Sequence, residues 1–277
     1  MNKTETLKMA AEIRKLTITA MESIGYGHIG GSMSICEMLA VLYNDIMDVD
    51  PKNPKDPNRD YLVLSKGHCG PAVYGALALK GFISKDELKT LNHNGTNLPS
   101  HCNRLKTNGV DITTGSLGQG LSLGAGVAMG KKLQCLKGMV FVIVGDGELQ
   151  EGQIWEAVQF LAHQKLNNLV VIVDNNRRQL DGFTKDVCNP FDLSQKFKAF
   201  GFDAIEADGH CVEETYKALS AAKAANTPTA VILNTEKGYG CNFSEIPGFN
   251  HFMTITKEMA DSAKEDINRR LALALKL

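Results

Sequence analysis

Three apolar runs, MVFVIV (139–144), LVVIV (169–173) and TAVILN (229–234), stand out against the alternation of apolar and polar positions in this chain. Each is short and rich in β-branched residues, so each predicts a strand buried on both faces. Between the first two, Ile154, Trp155, Val158, Leu161 and Ala162 recur at helical spacing and predict a helix over about 153–166. A helix around 191–200, a strand near 203–207 and a helix over 213–225 continue the alternation. Strands alternating with helices predict an α/β fold: a doubly wound, mostly parallel sheet flanked by helices.

Upstream, the pattern gives a helix over about 5–23, a Gly-rich turn through Gly31 and a second helix over 34–45. Pro51, Pro54 and Pro57 keep the next segment irregular until the short strand YLVLS (61–65). Helices near 71–80 and 84–92 follow. The segment 117–136 is helical in pattern but crowded with Gly and Ala, which lets another backbone approach closely and predicts an interface.

With 277 residues and 43% hydrophobic content, the chain can bury a large core, and one domain over 1–277 is the expectation. Its 30 basic and 31 acidic residues give no electrostatic argument for nucleic acid or a membrane surface. No apolar run is long enough to span a bilayer, and MNKTETLKMAAEIRK lacks a signal-peptide core, so a cytoplasmic protein is expected. The seven cysteines form no CxxC pair and predict reduced thiols. Cys36, Cys69, Cys102 and Cys135 recur every 33 residues, but their surroundings share no repeat pattern.

The chemistry concentrates where two strands end. Asp146 closes the first apolar run in Gly-Asp-Gly and Asn176 closes the second in Asp-Asn-Asn, so on parallel neighbouring strands their oxygens converge at the carboxyl edge. One carboxylate and one amide oxygen suit Mg²⁺, which takes its remaining ligands from phosphate and water. Gly145 and Gly147 allow close backbone approach, and the following helix turns its N-terminus toward an anion. The plain alternative is a βαβ unit with a tight turn. Asp208-Gly209-His210 also ends a strand before a helix, but it lacks a partner like Asn176 and reads as a helix cap.

The Gly-Asp-Gly and distant Asn-Asn resemble the thiamine diphosphate signature of the transketolase family. The resemblance runs through GHIGGS (27–32), RDYLVLSKGH (59–68), TTGSLGQGLS (113–122), GDGELQEG (145–152), VDNNRRQLDG (173–182) and EKGYG (236–240). It implies the diphosphate-binding domain of a thiamine enzyme. By this resemblance, Asp146, Asn176 and the Arg178 carbonyl hold Mg²⁺, Gly147 and His68 contact the diphosphate, Gly115 approaches the aminopyrimidine and Leu117 packs on the cofactor rings. Glu151 matches a buried carboxylate that bonds across the family's dimer interface; its alternative is an acidic residue favoured in a helix's first turn.

Ketol chemistry needs groups that give and take protons near neutrality, which suits histidine. The resemblance assigns His28 and His101 to substrate-facing positions and His251 to one near both diphosphate and substrate, all three as catalytic, while His93, His163 and His210 match nothing and read as structural. Two departures stand beside these matches: Ile29 replaces the usual proline after the first histidine, and Cys102-Asn103 replace a proline and a carboxylate after His101. They leave an altered acceptor pocket open.

The chain is shorter than a single-chain transketolase, and the glutamate that activates the cofactor belongs to that family's second domain. The resemblance therefore implies the N-terminal subunit of a two-chain transketolase, transferring a two-carbon ketol unit from a ketose phosphate to an aldose phosphate. A C-terminal subunit carrying the pyrimidine-binding and C-terminal domains is the expected partner, in an α2β2 assembly. The alternatives are a transketolase-like enzyme for an unusual sugar, a deoxyxylulose-phosphate synthase, or a non-catalytic binding protein. The intact Asp146, Asn176 and histidines argue against the last.

Overall fold

The computed structural model describes residues 1–246 and 250–276. In chain order its elements are α1 (Lys3–Glu22), β1 (Tyr26–Gly27), α2 (Ile29–Met33), α3 (Cys36–Val41), β2 (Tyr61–Leu64), α4 (Gly70–Lys80), α5 (Gln119–Leu133), β3 (Val140–Gly145) and α6 (Gly152–His163). Then come β4 (Leu169–Asn175), β5 (Arg178–Gln179), β6 (Gly182–Phe183), α7 (Thr184–Val187), α8 (Leu193–Ala199), β7 (Asp203–Asp208), α9 (Val212–Lys223), β8 (Thr229–Asn234), β9 (Met253–Thr254) and α10 (Lys257–Ala274).

Five strands form a sheet in the order β2-β3-β4-β8-β7, and every neighbouring pair is parallel. This is the doubly wound α/β architecture that the apolar runs predict. Register brings the carboxyl ends to one edge: Gly145 lies opposite Asp174, Asn175 opposite Asn234, and Asp208 opposite Asn234. Alternation along each strand divides the core. Phe141, Ile143, Val170 and Ile172 face a layer with residues of α1, α3, α4, α9 and α10. Val140, Val142, Val144, Val171 and Val173 face the opposite layer, with residues of α5, α6 and α8. Each such buried aliphatic side chain stabilises the fold by about 1.5–3 kcal/mol.

Several elements differ from the pattern's expectation. The Gly-rich turn is the short helix α2, because its glycines serve close packing: a Cβ on Gly30 would fall 2.3 Å from the Asn250 carbonyl oxygen, and one on Gly31 2.9 Å from Cys69 Sγ. The helix expected over 34–45 divides into α3 and a π turn, Leu42–Ile46, closed where Met47 N–H donates to the Leu42 carbonyl. The helix expected at 84–92 is a 3₁₀ turn, Asp86–Thr90. Helix α10, absent from the pattern reading, buries only Ala260, Ala263 and Ile267 and packs on α1. So narrow an apolar stripe on a polar sequence carries little periodic signal.

Helix α5 corrects the interface expectation in part. Gly120 and Gly124 press against Ser65 and Val142 of the chain's own sheet, whereas Gly126 meets nothing within 4 Å and shares the outer face with exposed Leu123 and Leu133. All seven cysteines are free thiols. Among the described residues no helix is long and apolar enough to cross a membrane.

Candidate active site

Asp146 directly follows β3 and Asn176 directly follows β4, so the parallel pairing sets both at the carboxyl edge, buried at 1% and 6% exposure. Thr184 Oγ1 donates to Asp146 Oδ2 (3.0 Å). Asn176 Nδ2 donates to Asp174 Oδ2 (2.7 Å), which turns the amide oxygen toward the Arg178 N–H (3.1 Å). Gly147 follows in helical conformation, and a Cβ there would fall 2.9 Å from Gln179 Cβ.

Beneath this edge lies a buried ion pair between Lys66 and Asp174. Lys66 Nζ also donates to the Gly31 carbonyl (3.1 Å), and Asp174 accepts from Ser34, Asn176 and Thr235. Burial works against both charges. Contact with Asp174 nevertheless holds Lys66 above the ordinary lysine range, and Lys66 with these hydrogen bonds holds Asp174 below the ordinary carboxylate range. Among the described residues Asp146 forms no salt bridge, and Lys66 offsets its burial only in part. Burial, reinforced by the Asp174 charge, pushes its carboxyl up to about 6.

A cleft of about 270 Å³ opens above these residues. Asp146, Gly147, Glu151, Asn176 and Arg178 line it together with Lys66, His68, Lys237 and His251. Leu117 and Leu180 line it as well, with 40% and 62% of their surfaces exposed. Lys237 Nζ lies 3.0 Å from His251 Nδ1 and donates to the Gln179 carbonyl (3.3 Å). Burial and the neighbouring Lys66 charge lower the Lys237 ammonium to about 8. The cleft thus holds a carboxylate and an ammonium that, among the described residues, form no salt bridge. That donor set fits a divalent metal bound together with a diphosphate.

Four histidines remote in sequence meet beside the cleft. The His28 ring centroid stands 5.4 Å from that of His68, 5.8 Å from His101 and 5.2 Å from His251, and His68 lies 4.9 Å from His251. Burial first, then neighbouring positive or ionisable groups, lowers His28 to about 4, His251 to about 3 and His68 well below its ordinary value; burial alone lowers His101. All four are neutral at pH 7, so each ring has one nitrogen to donate and one to accept. Gly115, at φ +157°, lies at this cluster; a Cβ there would sit 3.5 Å from His101 Cδ2.

Some sequence assignments change character. Glu151 is exposed at the cleft, whereas the buried glutamate of GDGELQEG is Glu148. Its oxygens accept from Ser65 Oγ, Gly118 N–H (2.8 Å) and Gly145 N–H (3.1 Å), tying the ends of β2 and β3 to the start of α5. Cys102 is buried in the core, and Asn103 Oδ1 accepts from Leu105 N–H (2.9 Å) within its own turn. Ile29 is fully buried at the first position of α2, where proline is also tolerated. Of the unmatched histidines, His93 and His163 are exposed, while His210 packs against Glu37 away from the cleft. Lys66, Glu148, Asp174, Leu180 and Lys237 carry no sequence signal of their own, though all five sit inside the motif segments.

A family model described as "Transketolase, thiamine diphosphate binding domain" matches residues 5–266. The chain is 47% identical over 93% of its length to the 6-deoxy-6-sulfo-D-fructose transketolase subunit SqwG of Clostridium sp. (strain MSTE9), covering 94% of that protein. It is 37% identical to one subunit of the apulose-4-phosphate transketolase of Phocaeicola vulgatus, over 96% of this chain and 95% of that one. Among solved structures, the transketolase of Campylobacter jejuni superposes with a TM-score of 0.91 at 32% identity, over 97% of this chain and 43% of that one. The chain thus spans nearly all of the two subunits and less than half of the solved transketolase.

Proposed function

The chain belongs to the transketolase family, and from that membership we propose that it is the diphosphate-binding subunit of a two-chain, Mg²⁺- and thiamine diphosphate-dependent transketolase. Such an enzyme moves a two-carbon ketol unit from a ketose phosphate to an aldose phosphate. The observation that carries the reading is the complementary charge of the cleft, where a carboxylate, Asp146, and an ammonium, Lys237, neither in a salt bridge among the described residues, line the same cavity.

In this reading Asp146, Asn176 and the Arg178 carbonyl hold the metal. Among the described residues no three His, Cys, Asp or Glu side chains cluster as a metal cage, so phosphate and water complete the coordination. Gly147, His68 and Lys237 receive the diphosphate, while Leu117, Leu180 and Gly115 border the rings. When bound, thiamine diphosphate supplies the carbon nucleophile of ketol transfer. His28, His101 and His251, neutral and with His28 beside both others, exchange protons with substrate hydroxyl and carbonyl oxygens. Lys237 donates to Nδ1 of His251, which leaves the His251 proton on Nε2.

Residues 1–277 act as one cytoplasmic diphosphate-binding domain. A separate polypeptide brings the cofactor-activating groups, in an α2β2 assembly. Support for the partner comes from relatives that are named as subunits and covered almost end to end. Exposed Glu151 and the outer face of α5 with Leu123 and Gly126 offer surfaces for such contacts. A second reading, in which the donor is an unusual sugar, is favoured by the 47% identity to a subunit of a sulfofructose transketolase. A donor panel of ketose phosphates and 6-deoxy-6-sulfo-D-fructose, assayed with the co-expressed partner, tests both. Loss of transfer when thiamine diphosphate is omitted supports the function; no transfer from any donor overturns it.

A further inference from the structure

His210 lies outside the cleft, between the end of β7 and the start of α9, yet it is bonded to the loop that carries Lys237. The turn is pressed against that loop: a Cβ on Gly209 would fall 2.4 Å from Thr235 Cγ2, and Gly209 N–H donates to the Asn234 carbonyl (2.9 Å). Glu236 N–H donates to His210 Nε2 at 2.8 Å. A backbone N–H only donates, so Nε2 is the unprotonated nitrogen and the proton rests on Nδ1.

That proton faces a carboxylate. His210 Nδ1 stands 3.6 Å from Glu37 Oε2, and Glu37 is paired with buried Arg14. Burial works against the Glu37 charge, but Arg14 and His210 hold its carboxyl down at about 2. Arg14 Nε also donates to the Tyr239 carbonyl (3.1 Å), and the Tyr239 ring stacks on His210, with centroids 3.6 Å apart and planes at 17°. The Glu236 N–H therefore sets the tautomer of His210 and the Tyr239 ring its plane, and His210 holds the amide immediately before Lys237. From Lys237 the connection continues: its Nζ meets His251 Nδ1, and its carbonyl accepts from Asn250 Nδ2 (2.9 Å), next to His251.

We propose that His210 is a positioning residue for the active site, holding the Glu236-Lys237 backbone so that the Lys237 ammonium faces the diphosphate and bonds to His251. The inference rests on reading the cleft as a diphosphate site. Other anchors of the loop do not involve His210: Gly238 N–H donates to the Gly30 carbonyl (2.9 Å), and Gly240 N–H to Glu245 Oε1 (2.8 Å). Removing the imidazole therefore loosens one point rather than the fold.

The test compares His210→Ala with His210→Gln, whose amide oxygen restores an acceptor near the Nε2 position. In the full chain, amide exchange over residues 236–240 is expected to quicken about tenfold in H210A and to return toward wild type in H210Q, with β3 and β4 unchanged. Affinity for Mg²⁺-thiamine diphosphate, measured by calorimetry, should fall in H210A and in Lys237→Ala, and the double variant should be no weaker than K237A alone. Unchanged exchange in the loop, or additive losses in the double variant, would overturn the proposal. Should the wild-type chain and its complex bind no thiamine diphosphate, the functional reading fails, and the exchange measurement still decides whether His210 holds the loop.

Discussion

Lys237 Nζ lies 3.0 Å from Nδ1 of His251, and the lysine charge holds the imidazole away from its protonated form. Burial acts first on both; the Lys237 charge then lowers His251 to about 3. Replacing Lys237 with Met removes the positive neighbour, so protonation of His251 becomes easier and its midpoint moves upward. An NMR titration of the His251 ring checks this. An unmoved midpoint would place the lysine charge elsewhere.

Asp146→Asn separates stability from function. The Asp146 carboxyl titrates at about 6 in the fold against an ordinary 3.8, because burial and Asp174 disfavour its charge. Between those values the folded chain binds more protons than the unfolded one, so this group's contribution to stability declines as pH rises from about 4 to about 6. Without metal, D146N should therefore be the more stable form at pH 8, by on the order of 2 kcal/mol, with little difference at pH 4. Metal binding in the wild type should weaken as pH falls through about 6, and D146N should lose it. Urea denaturation at two pH values, with Mg²⁺ titrations alongside, measures both.

Lys66→Met leaves Asp174 charged and unpaired in the core. Breaking such a pair from one side costs about 3–5 kcal/mol, and Asn176, hydrogen-bonded to Asp174, loses its support. Denaturant unfolding of K66M measures the loss. A change below about 1 kcal/mol would mean that Asp174 finds another counter-charge.

Asn103→Asp asks whether the departure beside His101 governs substrate choice. Asn103 Oδ1 accepts a turn hydrogen bond that an aspartate oxygen makes equally well. Steady-state KM values for aldose acceptors should stay within about twofold of wild type. A large shift would give Asn103 a direct part in the acceptor pocket.

The sheet is legible in the sequence because β3, β4 and β8 are continuous apolar runs, and Asp146 and Asn176 are legible because each ends one of them. Parallel pairing alone brings those two together. The histidines differ: no local pattern relates His28, His68, His101 and His251, and only the family resemblance implies their meeting. Lys66 and Asp174 are hidden because a buried ion pair leaves no mark on periodicity, and neither partner names the other. The sequence does not separate Glu148 from Glu151, because nothing in an acidic pair three residues apart tells which side chain turns inward. His210 reads as structural in the sequence, since its bond to Glu236 joins positions 26 residues apart.

In the proposed enzyme this chain holds the metal and diphosphate while another chain completes the site. Ketol transfer measured with Mg²⁺ and thiamine diphosphate on the purified chain, on its purified partner and on the two mixed tests it directly. Turnover in the mixture only is the expected result. Full turnover by this chain alone would contradict it.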